Sequence, residues 1–473
     1  MWLTVAEILL GLLSLVTLGV VVVQRGEAMT SLAWALVVVL VPGVGPLLFF
    51  FLSWRRPERE LRRFQNKASE FGRHLETWST LGATSDALES EDFRAVARAI
   101  ERMEGYPARA GNTIDFAADG PSFARMLLSS IRSAQRSVHL EFYIYQNDEA
   151  GEDVTRALVK KARQGVKCRL LLDAVGALWF QASCLARLRE AGVEVAFFHP
   201  TNPLRRRFAI HYRLHRKIAV FDGQAALTGG RNVGNEYLGR RRGKRSWQDL
   251  SLFVRGPAVA DLQRVFLADW YYTTDEALDP REYCPELEPA GRQIVQVVPS
   301  HPHVLGGAAE LAYLMAMRTA RRSLRLVTPY FVPPQSVLSA LVSASLAGVE
   351  VEIIVPSVSD AWLTLWAGRA SYRELIDAGV NIYEYQDGML HGKLAIVDDH
   401  WCTAGSANLD CRSFRLAFEV NCFIYDPETS HRLTALFEAY RAKAVLIEDP
   451  AQYDEKLADR LRCGLTRLAA PLL

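Results

Sequence analysis

The sequence predicts an α/β protein whose body is two homologous halves with pseudo-two-fold symmetry, preceded by a two-helix transmembrane hairpin. Three observations carry this expectation. Two long apolar runs open the chain, short β-rich runs then alternate with helical stretches, and the pattern of the first half recurs in the second. Strands alternating with helices read as a sheet covered by helices. The expected boundaries are 1–54 for the hairpin, 55–110 for a basic helical connector, 111–289 for the first half and 290–473 for the second.

The hairpin comes first. Residues 2–23 are apolar except for Glu7, and residues 29–52 carry no charge. At about 1.5 Å per residue, either run is long enough to cross a hydrocarbon core of about 30 Å. A signal peptide is disfavoured, because residues 1–7 contain no Lys or Arg and a second run follows at once. Pro42, Gly43, Gly45 and Pro46 predict a kink or break in the second run. The loop between the runs carries Arg25 and Glu27, whereas Arg55, Arg56, Arg59, Arg62, Arg63 and Lys67 follow the second. Basic residues stay on the cytoplasmic side, so the body is expected there. The basic stretch fits either an anionic lipid surface or a solvated linking helix.

Composition narrows the class of the rest. Half of the 473 residues are hydrophobic and the formal net charge is +2, which excludes a disordered chain. With 55 Lys+Arg against 53 Asp+Glu there is no global basic field, so nucleic acid is not an expected partner. The cysteines, Cys168, Cys184, Cys284, Cys402, Cys411, Cys422 and Cys463, form no CxxC pair, which argues against disulfides or a zinc site.

The repeat sets the order of elements in the body. SVHLEFYIY from Ser137 answers SLRLVTPYF from Ser323; GVKCRLLLD from Gly165 answers GVEVEIIVP from Gly348; AGVEV from Ala191 answers AGVNI from Ala378. The first half carries extra residues before its histidine, in TNPLRRRFAIHYRL from Thr201. The match is sharpest where the residues are polar. His215, Lys217, Asp222, Gly229, Gly230 and Asn232 correspond to His391, Lys393, Asp398, Gly405, Ser406 and Asn408, in the pattern H-x-K-x4-D-x6-G-[GS]-x-N. Two such motifs at equivalent points of a repeat have a chance probability well below about one in a thousand.

His and Lys two residues apart on a strand point to one face. Apolar residues after each Lys (Ile218, Ala219, Val220; Leu394, Ala395, Ile396, Val397) would hold that strand in the core. Two strands brought together would offer two imidazoles, two ammonium groups and two amides. Lys217, Lys393, Asn232 and Asn408 suit the oxygens of a phosphoryl group. One imidazole can attack phosphorus while the other protonates the leaving alcohol and later deprotonates the entering one. The protein supplies the positive charge, so neither a metal nor a cofactor is expected.

HRKIAVFD with GGRNVGNEYLG, HGKLAIVD with GSANLDCRSF, and TPYFVPP resemble the phospholipase D superfamily and, within it, bacterial cardiolipin synthases. The resemblance covers nearly the whole chain. It implies two phospholipase D-like halves and transfer of a phosphatidyl group between two phosphatidylglycerols, giving cardiolipin and glycerol through a phosphohistidine. It also implies a multi-pass protein of the bacterial cytoplasmic membrane. Carried over by position, His215 and His391 are the nucleophile and acid/base pair, with His215 favoured as nucleophile by the family's habit. Asp222 and Asp398 belong to the catalytic motif, although their place beyond a strand-turn reads as structural. Asp249 in SWQDL and Glu419 in FEVN are candidates to orient the histidines, or are ordinary surface charges. Ala417 stands where the family usually has Asn, which puts a local polar contact in doubt.

Hydrolysis, or transfer involving another lipid such as phosphatidylethanolamine, would use the same residues. A nuclease or a catalytically inert lipid scaffold fits less well, given two intact motifs in one near-neutral chain. Outside the motifs, His139, His211, His301, His303, His400 and His431 read as structural or exposed, and His74 and His199 have no evident partner. Trp362 and Trp366 read as core or as a membrane-dipping surface. Arg205, Arg206 and Arg207 with Phe208 and Ile210 read as an interfacial contact or a solvated loop. Oligomeric state has no signature here.

Overall fold

The computed structural model describes residues 2–23, 28–52, 64, 66–67, 88, 90–199, 212–241, 247–302, 307–453 and 457–469. The connector from 53 is mostly outside these residues, as are Arg205, Arg206, Arg207, Phe208, Ile210, His74, His211 and His303. The chain divides into two compact units, Met1–Arg63 and Phe64–Leu473.

The first unit is helical: Trp2–Val23, Ala28–Leu40 and Val44–Leu52. The second apolar run is interrupted where Pro42 and Gly43 were expected to break it. Gly43 takes a left-handed φ of 91°, and a Cβ on Gly45 would lie 2.4 Å from the Val37 carbonyl oxygen. Val21, Val38 and Phe49 form a small core, with Trp34 edge-on to Phe49 at 5.6 Å. Among the described residues no helix is long and apolar enough to cross a membrane.

Among the described residues of the second unit the first half supplies nine strands. They are β1 (Arg109–Ala117), β2 (Ser137–Phe142), β3 (Lys167–Asp173), β4 (Glu194–Phe198), β5 (Arg213–Leu214), β6 (Ile218–Phe221), β7 (Ala225–Gly229), β8 (Trp247–Gln248) and β9 (Ser251–Arg255). The second half follows with β10 (Gln293–Ser300), β11 (Ser323–Val327), β12 (Phe331–Val332), β13 (Glu350–Pro356), β14 (Asn381–Tyr385), β15 (Met389–Leu390), β16 (Leu394–Val397), β17 (Trp401–Gly405), β18 (Leu409–Asp410), β19 (Ala417–Tyr425) and β20 (Ala444–Leu446).

One continuous sheet runs β20-β14-β13-β11-β16-β17-β19-β10-β1-β9-β7-β6-β2-β3-β4. Apart from β20 the order is mirrored about the antiparallel β1–β10 pair, so the repeat in the sequence is a repeat in the sheet. β2–β3–β4 and β11–β13–β14 are parallel, joined by crossover helices such as Glu149–Arg163 and Gln335–Leu346. Central strands are buried on both faces and therefore read as largely apolar runs; all nine residues of β19 are buried, the polar Glu419 and Asn421 among them. From the connector, helix Glu91–Glu104 turns Val96, Ala97 and Ile100 into the core of the second half. Phe64 packs edge-on against Tyr272 and Phe418, with centroids 5.1 and 4.8 Å away.

β6 runs antiparallel to β2, with Ile218 opposite Glu141, and β16 runs antiparallel to β11, with Leu394 opposite Val327. Each motif's His and Lys therefore lie at the carboxyl edge of the parallel strands, where α/β sheets place ligands.

Candidate active site

Each half delivers its histidine through a strand pair that crosses to the other half. β5 pairs in parallel with the start of β19, and the His215 N–H donates to the Phe418 carbonyl at 2.9 Å. β15 pairs in the same way with β8, and the His391 N–H donates to the Gln248 carbonyl at 2.6 Å. Two residues beyond the start of each receiving strand stands the orienting carboxylate. Glu419 Oε1 accepts from His215 Nδ1 at 2.8 Å, and Asp249 Oδ2 accepts from His391 Nδ1 at 2.7 Å. With Nδ1 held as donor, each Nε2 keeps its lone pair. Asp249 and Glu419 are buried, so the reading of them as surface charges fails.

The expectation that His and Lys alternate on one regular strand is not met. Residues 215–217 and 391–393 lie between a two-residue strand and the long one, because the histidine main chain is already bonded to the opposite half. The lysines turn back over their own histidines. Lys217 Nζ donates to the His215 carbonyl at 2.5 Å, and Lys393 Nζ donates to the His391 carbonyl at 2.5 Å and lies 3.1 Å from His391 Nε2.

Burial and crowding of cations govern the electrostatics. Burial, reinforced by Lys217 and opposed by Glu419, lowers His215 to about 4. Burial and Lys393 lower His391 in the same direction against Asp249. Lys217 falls to about 7 and Lys393 to about 8, burial outweighing the carboxylates around them. Burial alone would raise Asp249, but Lys393 and His391 hold it below its ordinary value. His215 is influenced by Lys393, and His391 by Lys217, so the two motifs act in one electrostatic site. A neutral imidazole at pH 7 is the form a nucleophile needs.

The small residues of the motif have a packing reason. A Cβ on Gly229 would lie 2.4 Å from the Leu250 carbonyl, and one on Gly405 would lie 2.3 Å from the Val420 carbonyl. A Cβ on Gly230 would meet Asp249 Oδ1 at 2.2 Å. Its counterpart Ser406 instead donates through Oγ to Glu419 Oε2 at 2.5 Å. The first Gly admits the neighbouring strand, and the second position seats the orienting carboxylate.

Asn232 and Asn408 are buried; Asn232 Oδ1 accepts from the Ile144 N–H at 3.0 Å, which fixes its amide. Asp222 and Asp398 leave the catalytic set. Both adopt φ of 54° in the turn after their strand. Asp222 accepts from the N–H groups of Gln135, Arg136 and Ser137, and Asp398 from those of Arg321, Arg322 and Ser323. A carboxylate holding three main-chain donors secures the start of β2 or β11.

Several residues escaped the sequence reading. Arg216, between His215 and Lys217, points the opposite way into the core. It donates to the carbonyls of Glu419 and Ser300 at 3.0 Å each and pairs with Asp269. A charge at the x position of the motif was the available signal, since it faces the core and needs a buried partner. Tyr143 lies edge-on to His215 at 5.3 Å, and Tyr330 edge-on to His391 at 5.9 Å. Trp247 lies 4.9 Å from the His391 ring.

The chain matches the family model described as "Cardiolipin synthase, PLD-like domain" over residues 127–270 and 313–441, one segment in each half. It is 34% identical to the cardiolipin synthase of Geobacillus kaustophilus over 463 residues, 96% of this chain and 91% of that protein. It is likewise 34% identical to cardiolipin synthase 1 of Bacillus anthracis over 465 residues, with the same coverage. The chain belongs to the cardiolipin synthase family. Among solved structures, phosphatidylserine synthase from Haemophilus influenzae Rd KW20 superposes with a TM-score of 0.63, covering 80% of this chain and all of that one. At 18% identity that likeness is one of fold.

Other side chains of this cardiolipin synthase-family chain have ordinary explanations. His139 is buried against Gln263, and His199, for which the sequence offered no partner, lies 2.7 Å from the Tyr272 hydroxyl. Among the described residues no group of three His, Cys, Asp or Glu side chains could hold a metal ion. Trp362, expected in the core or at a membrane, is 60% exposed, and Trp179 is 89% exposed. They occupy equivalent positions after β3 and β13, at the edge that carries the histidines.

Proposed function

We propose that this protein is a membrane-bound phosphatidyltransferase that makes cardiolipin and glycerol from two phosphatidylglycerol molecules. The observation that carries the reading is the pair of imidazoles, each held through Nδ1 by a carboxylate of the opposite half and each covered by a lysine. His215 Nε2 attacks phosphorus, and the bond to the glycerol oxygen breaks as His391 supplies its proton. The terminal hydroxyl of a second phosphatidylglycerol then gives its proton to His391 and displaces His215. Lys217, Lys393, Asn232 and Asn408 hold the phosphoryl oxygens and stabilise the charge that builds there. An anionic phosphate in the site raises the acid/base imidazole from its depressed value, as a nearby opposite charge favours the cation.

Two observations support contact with a membrane. The first unit exposes large apolar side chains, among them Leu15, Val22, Val23 and Leu40, which suit lipid and not water. Trp179 and Trp362 supply aromatic side chains of the kind enriched at membrane–water interfaces, one on each half. In this reading residues 1–54 form a membrane hairpin, the basic stretch from Arg55 keeps the body on the cytoplasmic side, and residues 111–289 and 290–473 are the two halves.

The test is purified full-length protein in phosphatidylglycerol vesicles containing chelator, with His215→Ala and His391→Ala alongside. Cardiolipin plus glycerol, lost in both variants, supports the reading. Phosphatidic acid as sole product makes the enzyme a hydrolase, and full activity in either variant refutes the mechanism.

A further inference from the structure

The two histidines are equivalent by symmetry, but their surroundings are not. Beside His391 opens a cavity of about 370 Å³ lined by Glu236, Arg241, Trp247, Ser359, Asp360 and Met389. Met389 is on β15, two residues before His391. The Trp247 ring lies 4.9 Å from the imidazole, and Tyr330, edge-on to the same ring, donates its hydroxyl to Asp360 Oδ1 at 2.7 Å. The repeat places Arg213, Ala417 and Ala177 at the corresponding positions around His215. The carboxylate on that side, Asp173, is engaged with Arg213 and with the N–H groups of Leu214, Val175 and Gly176.

We propose that this cavity is the alcohol subsite, which receives the glycerol headgroup as it leaves and the headgroup hydroxyl as it enters. The proposal rests on the phosphatidyltransferase reading and adds to it the side from which the alcohol is held. The lining is rich in acceptors. Asp360 and Ser359 face the cavity, and Glu236 Oε2 is buried without a hydrogen bond among the described residues, its cation Arg241 standing 3.7 Å away. Two carboxylates are balanced by Arg241 and the neighbouring Lys393, which suits uncharged hydroxyl donors better than an ammonium headgroup. Trp247 offers a flat apolar wall for the carbon chain. A water occupies about 30 Å³, so a three-carbon polyol fits with space to spare.

The location also divides the labour between the histidines. Both the departing and the arriving alcohol oxygen must lie within reach of the acid/base imidazole, and the cavity adjoins His391. His215 therefore forms the P–N bond as the first P–O bond breaks and His391 protonates that oxygen. In the second step His391 takes the proton of the incoming hydroxyl, whose oxygen forms the new P–O bond as the P–N bond breaks.

The experiment uses full-length protein in mixed micelles with a phosphatidyl ester of p-nitrophenol as donor and glycerol as acceptor. Its leaving group needs no polyol site, so the ratio of phosphatidylglycerol to phosphatidic acid formed reports on the acceptor alone. Asp360→Ala removes an acceptor, and Val358→Trp fills the cavity from a half-exposed position, which keeps the test open should the first variant fold poorly. Loss of one charge-assisted hydrogen bond lowers that ratio about tenfold and raises half-saturating glycerol by a similar factor. An unchanged ratio in both variants overturns the proposal. So does equal use of ethanolamine and glycerol by the wild type. Wild-type protein that forms no cardiolipin from phosphatidylglycerol defeats the underlying reading. Wild-type protein that forms it, with variants of unaltered ratio, defeats the subsite alone.

Discussion

Glu419→Gln tests the crossed orientation of the histidines most directly. The carboxylate accepts from His215 Nδ1 at 2.8 Å and from Ser406 Oγ at 2.5 Å, and it is buried. Glutamine keeps the volume but removes the charge, and its amide nitrogen cannot accept from Ser406. A hydrogen bond to a charged group contributes about 1.5–3 kcal/mol, and a neutral one about half of that. The carboxylate acts most strongly when His215 carries positive charge, as it does on bonding to phosphorus. Losing half of the charged bond's contribution there, ~1–1.5 kcal/mol, lowers kcat ~5- to 13-fold. The imidazole should titrate lower still, because Glu419 is the group that opposes its depression. Cardiolipin formation and ¹⁵N NMR of the imidazoles read both effects. His215, which Glu419 touches, should shift more than His391 in Glu419→Gln, and the reverse should hold in Asp249→Asn. A shift of His391 as large as that of His215 in Glu419→Gln, or a kcat within about threefold of wild type, would refute the crossed arrangement.

Four other outcomes are expected. Gly230→Ala drives a methyl into Asp249 and should lower activity more than tenfold, whereas Ser406→Gly loses the bond to Glu419 and the one accepted from the buried Val420 N–H and should cost about 1–3 kcal/mol in denaturant midpoint analysis. Arg216→Met leaves Asp269 buried and unpaired and should destabilise the fold by about 3–5 kcal/mol, read by thermal unfolding in detergent. In the free enzyme His215 should remain neutral from pH 7 down to pH 5 and gain its proton near pH 4; a phosphate-like oxyanion should raise one imidazole, since negative charge favours the protonated ring. Replacing both Trp179 and Trp362 with Ser should weaken vesicle binding of the full chain several-fold while detergent-solubilised turnover changes little; equal loss in vesicles and detergent would count against an interfacial role.

Much of the site was legible because its chemistry is local. His215 and Lys217, or His391 and Lys393, are two residues apart, and doubling the pattern with its Gly and Asn removed chance as an explanation. The strands were legible because β6 and β16 are buried along their whole length and read as the apolar runs IAVF and LAIV, and β2 and β3 are rich in apolar residues between their buried polar ones. Asp249 and Glu419 could be named as candidates from their places after the motif, but not assigned, because nothing in a linear pattern says which histidine each one meets.

The sequence by itself therefore determined the repeated α/β body, the two histidine motifs and the phosphoryl chemistry, since residue type and short spacing are enough for those. Tertiary structure decided the rest. Glu419 reaches His215 across 204 residues because β5 pairs with β19, and Asp249 reaches His391 across 142 because β15 pairs with β8. Arg216 acquired its partners, Asp222 and Asp398 became anchors of strand starts, and a cavity formed beside His391. Each outcome depends on which surfaces the two halves present to one another once the sheet closes at β1 and β10, and that information resides in packing between distant segments.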